Sequence, residues 1–329
     1  VDMVYRLDAG TVIDAEGNLV IENLYAGRVT QITQAQGTTS GYVSGGFPPY
    51  SDVIDKFSFT SDANATDVGN LTVARTDVAG QSSRNHGYTS GGFGPPHSDV
   101  IDKFPFSADG NATDVGNLTT VAYELAGQTS TESGYTSAGG RPNPSPPPFI
   151  LRSNTIDKFP FSSDTNATDV GDLTQARSQL SGQSSSTNGY TSGGETPTRV
   201  GTIDKFPFSS DANATDVGDL TDGRSSSAGN SSPASGYASG GWSPGYVNII
   251  DKFPFASDTN ATDVGDLLSI GSSGEGQSSD ASGYVSGGIT SPPFSPSNVI
   301  QKFPFSSDEN SADVGDLTVA RYDAAGQQV

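Results

Sequence analysis

A phrase of six residues, Ile-Asp-Lys-Phe-Pro-Phe, recurs along this chain with small changes. Every lysine of the sequence lies in a copy of that phrase, at Lys56, Lys103, Lys158, Lys205, Lys252 and Lys302. Successive lysines are 47, 55, 47, 47 and 50 residues apart. A period of this length predicts an array of repeats in which each unit completes its core by stacking on its neighbours. A charge that occurs at only one position of such a repeat is expected to serve the architecture before it serves chemistry.

Each repeat contains the same succession of short segments, and these segments fit β-strands. In the second repeat a small polar segment at 79–83 precedes Gly-Tyr-Thr-Ser-Gly-Gly at 87–92, and the lysine phrase follows at 100–106. After a turn rich in Asp, Asn and Thr, the segment Asp-Val-Gly-Asn-Leu occupies 114–118. Apolar residues lie on both faces of the lysine phrase, which is typical of a strand packed between two sheets.

Four short strands per repeat, closed radially, predict an all-β fold, a six-bladed β-propeller of four-stranded blades. The Gly-Tyr segment occurs six times, whereas the small polar segment has seven candidates. We therefore expect a terminal strand, at either 34–36 or 325–327, to complete the ring. We assign the propeller to 29–329 and a short non-repeat N-terminal extension to 1–28. The extension predicts two short strands between Val12 and Ile21, and we interpret it as an attachment or assembly element.

The repeats resemble those of the kelch family. The resemblance rests on paired glycines that end the second strand (Gly45-Gly46 and Gly193-Gly194), on an Ile-Asp pair in the third, and on an Ala-Arg after the fourth. Asp-Val-Gly stands where kelch repeats have a tryptophan. The turn Ser162-x-Asp164-x-Asn166-x-Thr168 resembles the Asp-box of sialidase-like propellers, and the wording of the repeats resembles propeller-type virion (tail or fibre) proteins of marine bacteriophages. These resemblances imply a β-propeller that acts in recognition or assembly.

The net charge and the residue composition argue against several classes of binding partner. The formal net charge is −21, with 16 basic residues against 37 acidic ones, so we expect no nucleic-acid partner because no basic surface is available to displace counterions. No apolar segment has the length of a transmembrane helix, so no membrane insertion is expected. The absence of cysteine excludes disulfides and thiolate metal sites.

Two sets of repeated polar residues have a structural interpretation. We expect each lysine to pair with an aspartate of a neighbouring strand or blade, such as those at the positions of Asp67 or Asp219. We expect the carboxylates concerned to be buried. The turns that follow the lysine phrase carry alternating oxygen side chains, which predict either Asx-capped hairpins or a weak calcium site. Their candidate ligands are Asp62, Asn64, Asp67, Asp164, Asn166 and Asp169.

The six loops between the paired glycines and the lysine phrase differ from one another, and all are expected on one face of the propeller. Variable loops rich in aromatic residues on a fixed scaffold are typical of binding surfaces. We predict a binding face that includes Phe47, Tyr50, Phe93, His97, Phe149, Trp242, Tyr246 and Phe294.

The sequence favours a non-enzymatic structural or binding module of a virion or extracellular assembly. Its expected partners are virion or assembly proteins and a cell-surface glycan, and it is a candidate for homo-oligomerisation. No catalytic residues are predicted, because only His86 and His97 supply imidazoles and glutamates are scattered. Two alternatives stay open, a sialidase-like propeller glycosidase and an intracellular kelch-type adaptor.

Overall fold

The computed structural model describes residues 12–13, 19–20, 36–143 and 151–329. Contacts divide the chain into two compact units, Val1–Gln31 and Ile32–Val329. In the first unit Val12–Ile13 pairs antiparallel with Leu19–Val20, where the sequence predicts two short strands. The rest of the predicted N-terminal extension lies outside the described residues.

The second unit is a propeller arrangement of small antiparallel sheets. The inner strands are Ala79–Ser82, Ala126–Thr129, Ser181–Ser184, Ala228–Ser231, Glu275–Ser278 and Ala325–Gln328. The second strands are Ser40–Ser44, His86–Ser90, Ser133–Ser137, Asn188–Ser192, Ser235–Trp242 and Ser282–Ser286. The third strands are Val53–Ser58, Val100–Pro105, Thr155–Pro160, Thr202–Pro207, Tyr246–Pro254 and Val299–Pro304. The outer strands are Thr66–Asn70, Thr113–Asn117, Thr168–Asp172, Thr215–Asp219, Thr262–Ser272 and Ala312–Asp316.

Five sheets contain four strands, in the order inner, second, third, outer. The sheet that begins with Ala228–Ser231 contains six, because its outer strand continues to Ser272 and pairs with Ile289–Thr290, which pairs with Ser295–Pro296. The prediction of six four-stranded blades is therefore wrong in its count. The difference lies at residues 267–271, which read Leu-Leu-Ser-Ile-Gly where the second repeat has Leu-Thr-Thr-Val-Ala. In this sheet the outer strand continues through them and meets the loop strand Ile289–Thr290.

Short pairings outside the propeller sheets are few. Gly140–Arg141 and Leu151–Arg152 form a two-stranded ribbon in a variable loop. Within the described ranges no helix is long and apolar enough to cross a membrane.

Both ends of the propeller unit contribute to one sheet. The C-terminal strand Ala325–Gln328 pairs with Ser40–Ser44, as one of the two predicted closures requires. The alternative closing segment, 34–36, reaches the described residues only at Gln36, whose amide donates to the carbonyl of Ser231. The inner strands contact one another in sequence, and the C-terminal one contacts both Glu275–Ser278 and Ala79–Ser82, so the ring is closed.

The inner strands can approach so closely because each carries a glycine at the same position. A Cβ atom added to Gly80 would lie 2.1 Å from the carbonyl oxygen of Gly326 on the neighbouring inner strand. No side chain fits at that distance. The glycine common to all six inner strands is thus a requirement of backbone-to-backbone contact around the axis.

Aromatic rings of the lysine phrase form the core between adjacent sheets. Tyr42 on a second strand packs against Phe104 and Phe106 of the next repeat, with ring centroids 5.6 and 4.8 Å apart. Tyr88 makes the same contacts with Phe159 and Phe161. Each aromatic pair adds about 0.5–1.5 kcal/mol beyond its buried area. The Phe-Pro-Phe part of the phrase therefore packs on the preceding blade as well as on its own, where the Phe104 ring lies over Gly87 of the second strand.

All the lysines form ion pairs that join neighbouring blades, over N···O distances of 2.5 to 3.2 Å. Lys56 pairs with Asp109, and Lys302 pairs with Asp62 across the closure. Pairing between blades confirms the prediction, but two details of it were wrong. The partner is the first aspartate of the turn and not the one at the position of Asp67, and its carboxylate is more than half exposed. Exposed pairs of this kind contribute about 0–1 kcal/mol each.

The buried carboxylates belong to the Ile-Asp pair and are held by arginine. Asp102 is fully buried and accepts hydrogen bonds from Arg75 Nη1 at 2.8 Å and from the Thr72 hydroxyl at 2.7 Å. Arg75 also donates through Nε to the carbonyl of Gly91. The same buried ion pair joins Arg177 to Asp204, Arg224 to Asp251 and Arg321 to Asp55. Each pair ties the connection leaving one sheet to the third strand of the next.

Two repeats depart from this pair, in different ways. Gly271 replaces the arginine where Gln301 replaces the aspartate, so both charges are absent together, and Gln301 Oε1 accepts from the Leu268 amide. Ala122 replaces the arginine opposite Asp157, which remains. Burial raises the pKa of Asp157, and hydrogen bonds from Thr119 oppose that shift. The paired loss at 271 and 301 supports a structural role for the pair.

We predict that Arg177→Ala lowers the free energy of unfolding by about 3–5 kcal/mol, because it leaves the Asp204 carboxylate buried without its cation. The double variant Arg177→Ala/Asp204→Gln reproduces the charge pattern of the sixth repeat and should recover a large part of that loss. Lys103→Met, which removes an exposed pair, should cost at most about 1 kcal/mol. Urea denaturation of the three variants measures all of these differences. Equal losses for the single and double variants would contradict the assignment.

Candidate functional site: the variable-loop face

The antiparallel order of the strands places all the variable loops on one face. In each sheet the loop from the second to the third strand lies at the same end as the connection that runs from the preceding outer strand to the inner strand. Loop and connection are bonded to each other: Phe93 forms a bridge with Thr76, Glu195 with Ser178, and Trp242 with Ser225. We call this surface the loop face.

Paired glycines make the sharp exit into five of the loops, and Ala138-Gly139 takes the same conformation in the third repeat. Gly91 and Gly92 have φ of 68° and 121°, a conformation that side chains rarely adopt. A Cβ on Gly91 would lie 2.6 Å from the carbonyl oxygen of Ala122 in the following connection. The loops therefore start from fixed positions, although their sequences vary.

Four of the predicted binding residues form one aromatic group on this face. Phe47 lies 5.3 Å from Tyr50, Tyr50 lies 6.2 Å from Phe93, and Phe93 lies 4.2 Å from His97, measured between ring centroids. All four side chains are partly exposed. Tyr50, Phe93 and His97 also line an open groove of about 580 Å³, whose other walls are Gly94, Pro95, Pro96, Val121 and Pro142.

The other described candidates form a second group. Trp242 contacts Tyr246 edge-on with centroids 4.5 Å apart, and Tyr246 lies 6.3 Å from Phe294. The side chain of Phe294 is 63% exposed, the largest value among the exposed large hydrophobic residues of the described chain. The remaining candidate, Phe149, lies outside the described residues.

Sequence reasoning missed two tyrosines that extend the first group. Tyr322 packs edge-on against Phe47 at 5.8 Å, and Tyr123 packs against Phe93 at 5.4 Å. Both lie in connections rather than in variable loops, at the position where other repeats have Thr or Ser. A tyrosine at a position where the other repeats have Thr or Ser is the sequence feature that could have identified both residues.

A charged cluster adjoins Trp242. Arg152 Nη2 lies 2.9 Å from Glu195 Oε1, and Arg199 Nη2 lies 3.8 Å from Glu195 Oε2. The guanidinium carbon of Arg199 lies 5.5 Å from the ring centroid of Trp242. These residues come from three different loops, so the cluster exists only on the assembled face.

Around the axis of this face runs a closed ring of backbone hydrogen bonds. Its members have φ between 53° and 57° and are Asp77, Glu124, Gln179, Ser226, Ser273 and Asp323. The amide of each donates to the carbonyl of the preceding member, at 2.7 to 3.1 Å, and Asp77 closes the ring onto Asp323. This ring could not be predicted from the sequence, because its residue types differ from repeat to repeat.

Carboxylates are concentrated on one side of the ring. Asp323, Asp77 and Glu124 follow one another there, and Glu275 lines the narrow channel of about 120 Å³ enclosed by the inner strands. All four of these acidic residues are only partly exposed to solvent. Burial, with the charges of Asp323 and Glu124, raises the pKa of Asp77 well above its usual value. Burial also raises the pKa of Asp323 to about 6 and that of Glu275 well above its usual range.

The calcium candidates each have a protein partner. Asp62 pairs with Lys302, Asn64 Oδ1 accepts from the amide of Asp316 in the preceding sheet, and Asp67 Oδ1 accepts from the amide of Gly69. In the third repeat the same three roles are filled by Asp164, Asn166 and Asp169. In the described part of the chain no three acidic or histidine side chains are grouped as metal ligands. Calcium binding at these turns stays a prediction.

The chain matches no protein-family model, and no curated protein is similar to it in sequence. What the structure itself establishes is a β-propeller arrangement built from repeats of this chain. Any inference about function therefore rests on the residues of the loop face.

We predict that the melting temperature of the protein falls as the pH rises from 5 to 7.5. The folded-state pKa of Asp323, about 6, lies above its ordinary value of 3.8, so its stabilising contribution is fully present below pH ~4 and is lost as the pH rises through ~6. Asp323→Asn should therefore melt several degrees higher than the parent at pH 7.5 and differ little from it at pH 4.5. Asp280→Asn, at an exposed turn, is the matched control. Parallel pH profiles for parent and Asp323→Asn would contradict the prediction.

Proposed function

We propose that this chain is a non-enzymatic binding and structural module that recognises a glycan or a protein partner through its loop face. The observation that carries the proposal is the grouping of non-repeated aromatic side chains on that face. Repeated aromatics such as Tyr88 are buried between sheets, whereas Tyr50, Phe93, Trp242 and Phe294 remain partly or largely exposed. Exposed aromatic rings in contact with one another are typical of surfaces that stack on sugars or anchor a partner.

The shape of the aromatic groove favours a glycan as the ligand. A cleft of about 580 Å³ that is open to solvent and walled by Tyr50, Phe93, His97 and three prolines suits one or two sugar rings lying flat. A cavity for a fully enclosed small molecule would need deeper walls.

The proposed scaffold is a six-bladed propeller of the kelch-like type. The first four strands of the six-stranded sheet keep the inner, second, third, outer order of the other five sheets, which supports its role as a further blade. The setting we propose is a virion, as a tail or fibre component, or another extracellular assembly. There residues 1–28 would attach the propeller to assembly proteins or to further copies. This part of the proposal is supported by the repeat sequences alone.

A glycosidase is the second candidate, because carboxyl groups with raised pKa values lie at the centre of the same face. A raised pKa keeps a carboxylic acid protonated near neutral pH, as a general acid for glycoside cleavage requires. Asp77, Asp323 and Glu275 all have this property.

We predict that Tyr50→Ala and Trp242→Ala each weaken binding to a recognised glycan by about tenfold, the amount expected when one stacking ring is lost. Thr187→Ala, in an exposed turn on the opposite face, should leave the affinity unchanged. A glycan array followed by titration calorimetry on the strongest ligand provides the measurement. A ligand whose affinity is the same for all three variants would place the binding site elsewhere.

If the chain is instead a glycosidase, purified protein should release reducing sugar from a polysaccharide, and Glu275→Gln should abolish the release without lowering the melting temperature. We expect no release from any polysaccharide that the protein binds. Release that is lost in Glu275→Gln would replace the binding proposal with the enzymatic one.

A further inference from the structure

The cations of this protein are almost all committed to its architecture. Every lysine is paired between blades, and four arginines are buried with aspartate. Of the other described arginines, Arg84 lies in an exposed turn on the opposite face, and Arg141 donates to the hydroxyl of Thr155 close to the buried Asp157. Arg152 and Arg199 are the two that remain on the loop face within the described residues.

These two arginines occupy the same position in successive repeats, four residues before Ile156 and Ile203. The other four repeats have a different residue type there, namely Tyr50, His97, Tyr246 and Pro296, so the architecture does not require an arginine at this position. Their side chains are 24% and 36% exposed. Both contact the same carboxylate, that of Glu195, which leaves one positive charge of the cluster uncompensated. The net charge of the chain is −21, so an exposed site with an excess of positive charge differs in sign from the protein as a whole.

Arg199 also lies beside an aromatic ring. Its guanidinium lies over Trp242 at 5.5 Å. Stacking engages the face of a guanidinium and leaves the N–H groups at its edge directed outward, where they can donate two parallel bonds to a carboxylate. The same indole presents a ring on which a pyranose can stack. Nε of Arg152 is buried without a hydrogen-bond partner, so a ligand would meet this arginine through its terminal nitrogens.

We propose that Arg152, Arg199 and Trp242 form a subsite for the carboxylate of an acidic sugar, such as a uronic acid residue within a glycan. This inference rests on the proposed glycan-binding function and specifies the class of ligand. Arg199 and Arg152 bind the carboxylate, Trp242 supports the sugar ring, and Glu195 holds the two guanidinium groups in place before the ligand arrives. The ligand carries isolated carboxylates, because a densely charged polyanion is repelled by the acidic protein around the site.

The test compares a glucuronic-acid-terminated oligosaccharide with its methyl ester, which lacks the negative charge and carries one additional methyl group. Titration calorimetry at physiological ionic strength should show the acid binding to the parent at least about tenfold more tightly than the ester. Arg199→Gln should remove that preference and leave the affinity for the ester within about twofold. Arg84→Gln, which removes the same charge from the opposite face, should behave as the parent does. Melting curves establish that each variant is folded.

A second variant acts in the opposite direction. Glu195→Gln keeps an acceptor oxygen that can hold the guanidinium groups in place but removes the negative charge that competes with the ligand. It should therefore tighten binding of the acid and leave the ester unaffected. If acid and ester bind the parent equally, or if Arg199→Gln keeps the preference for the acid, the subsite is overturned while glycan binding stands. If neither form binds and Tyr50→Ala has no binding to weaken, the proposed function itself fails. If a peptide with a free C-terminal carboxylate depends on Arg199 and the sugar acid does not, a protein partner replaces the glycan.

Discussion

No sheet of this propeller can bury both of its faces alone, and the contact between neighbouring sheets is the interaction on which the rest of the structure depends. That contact has three layers. Near the axis, glycine backbones such as those of Gly80 and Gly326 approach to a distance that excludes any side chain. Further out, Tyr42 packs on the Phe-Pro-Phe residues of the next repeat. Beyond the rings, Lys56 reaches across to Asp109. Because every layer joins one repeat to the next, the repeats must keep nearly the same sequence.

Buried charge inside this contact is paired as arginine with aspartate at four of the six repeats, and the other two differ. Arg75 and Asp102 are both fully buried, so losing one would leave the other without compensation. The sixth repeat changes both positions together, to Gly271 and Gln301, and an amide then accepts the hydrogen bond from the neighbouring backbone. The third repeat keeps Asp157 opposite Ala122, and burial raises the pKa of that carboxyl group as a consequence. Polar residues inside the repeats are thus explained by pairing and leave little for recognition.

Recognition is left to residues that the repeats do not share. The loop face combines aromatic rings at its rim with carboxylates at its axis, and Tyr123 and Tyr322 lie between the two zones. Burial raises the pKa of Tyr322, and the charges of Asp323 and Asp77 add to that shift. Two polar sites of opposite charge therefore occupy one face, the axial carboxylates and the arginines beside Trp242. A ligand that lies across the face would meet both.

The sequence by itself determined the repeat, its strands, the propeller architecture and the face on which the variable loops emerge, because alternation, glycine spacing and turn residues are local properties. It also predicted that the lysines pair between blades. It could not identify the lysine partners, which depend on how far one blade is offset from the next. It missed the pairing of residues 271–272 with 289–290, since that extra sheet depends on a loop meeting the next connection. Only the tertiary structure brought Tyr322 to Phe47 and Asp323 to Asp77. Closing the ring places the first and last repeats of the propeller unit side by side, and contacts across some 250 residues of sequence leave no periodic trace.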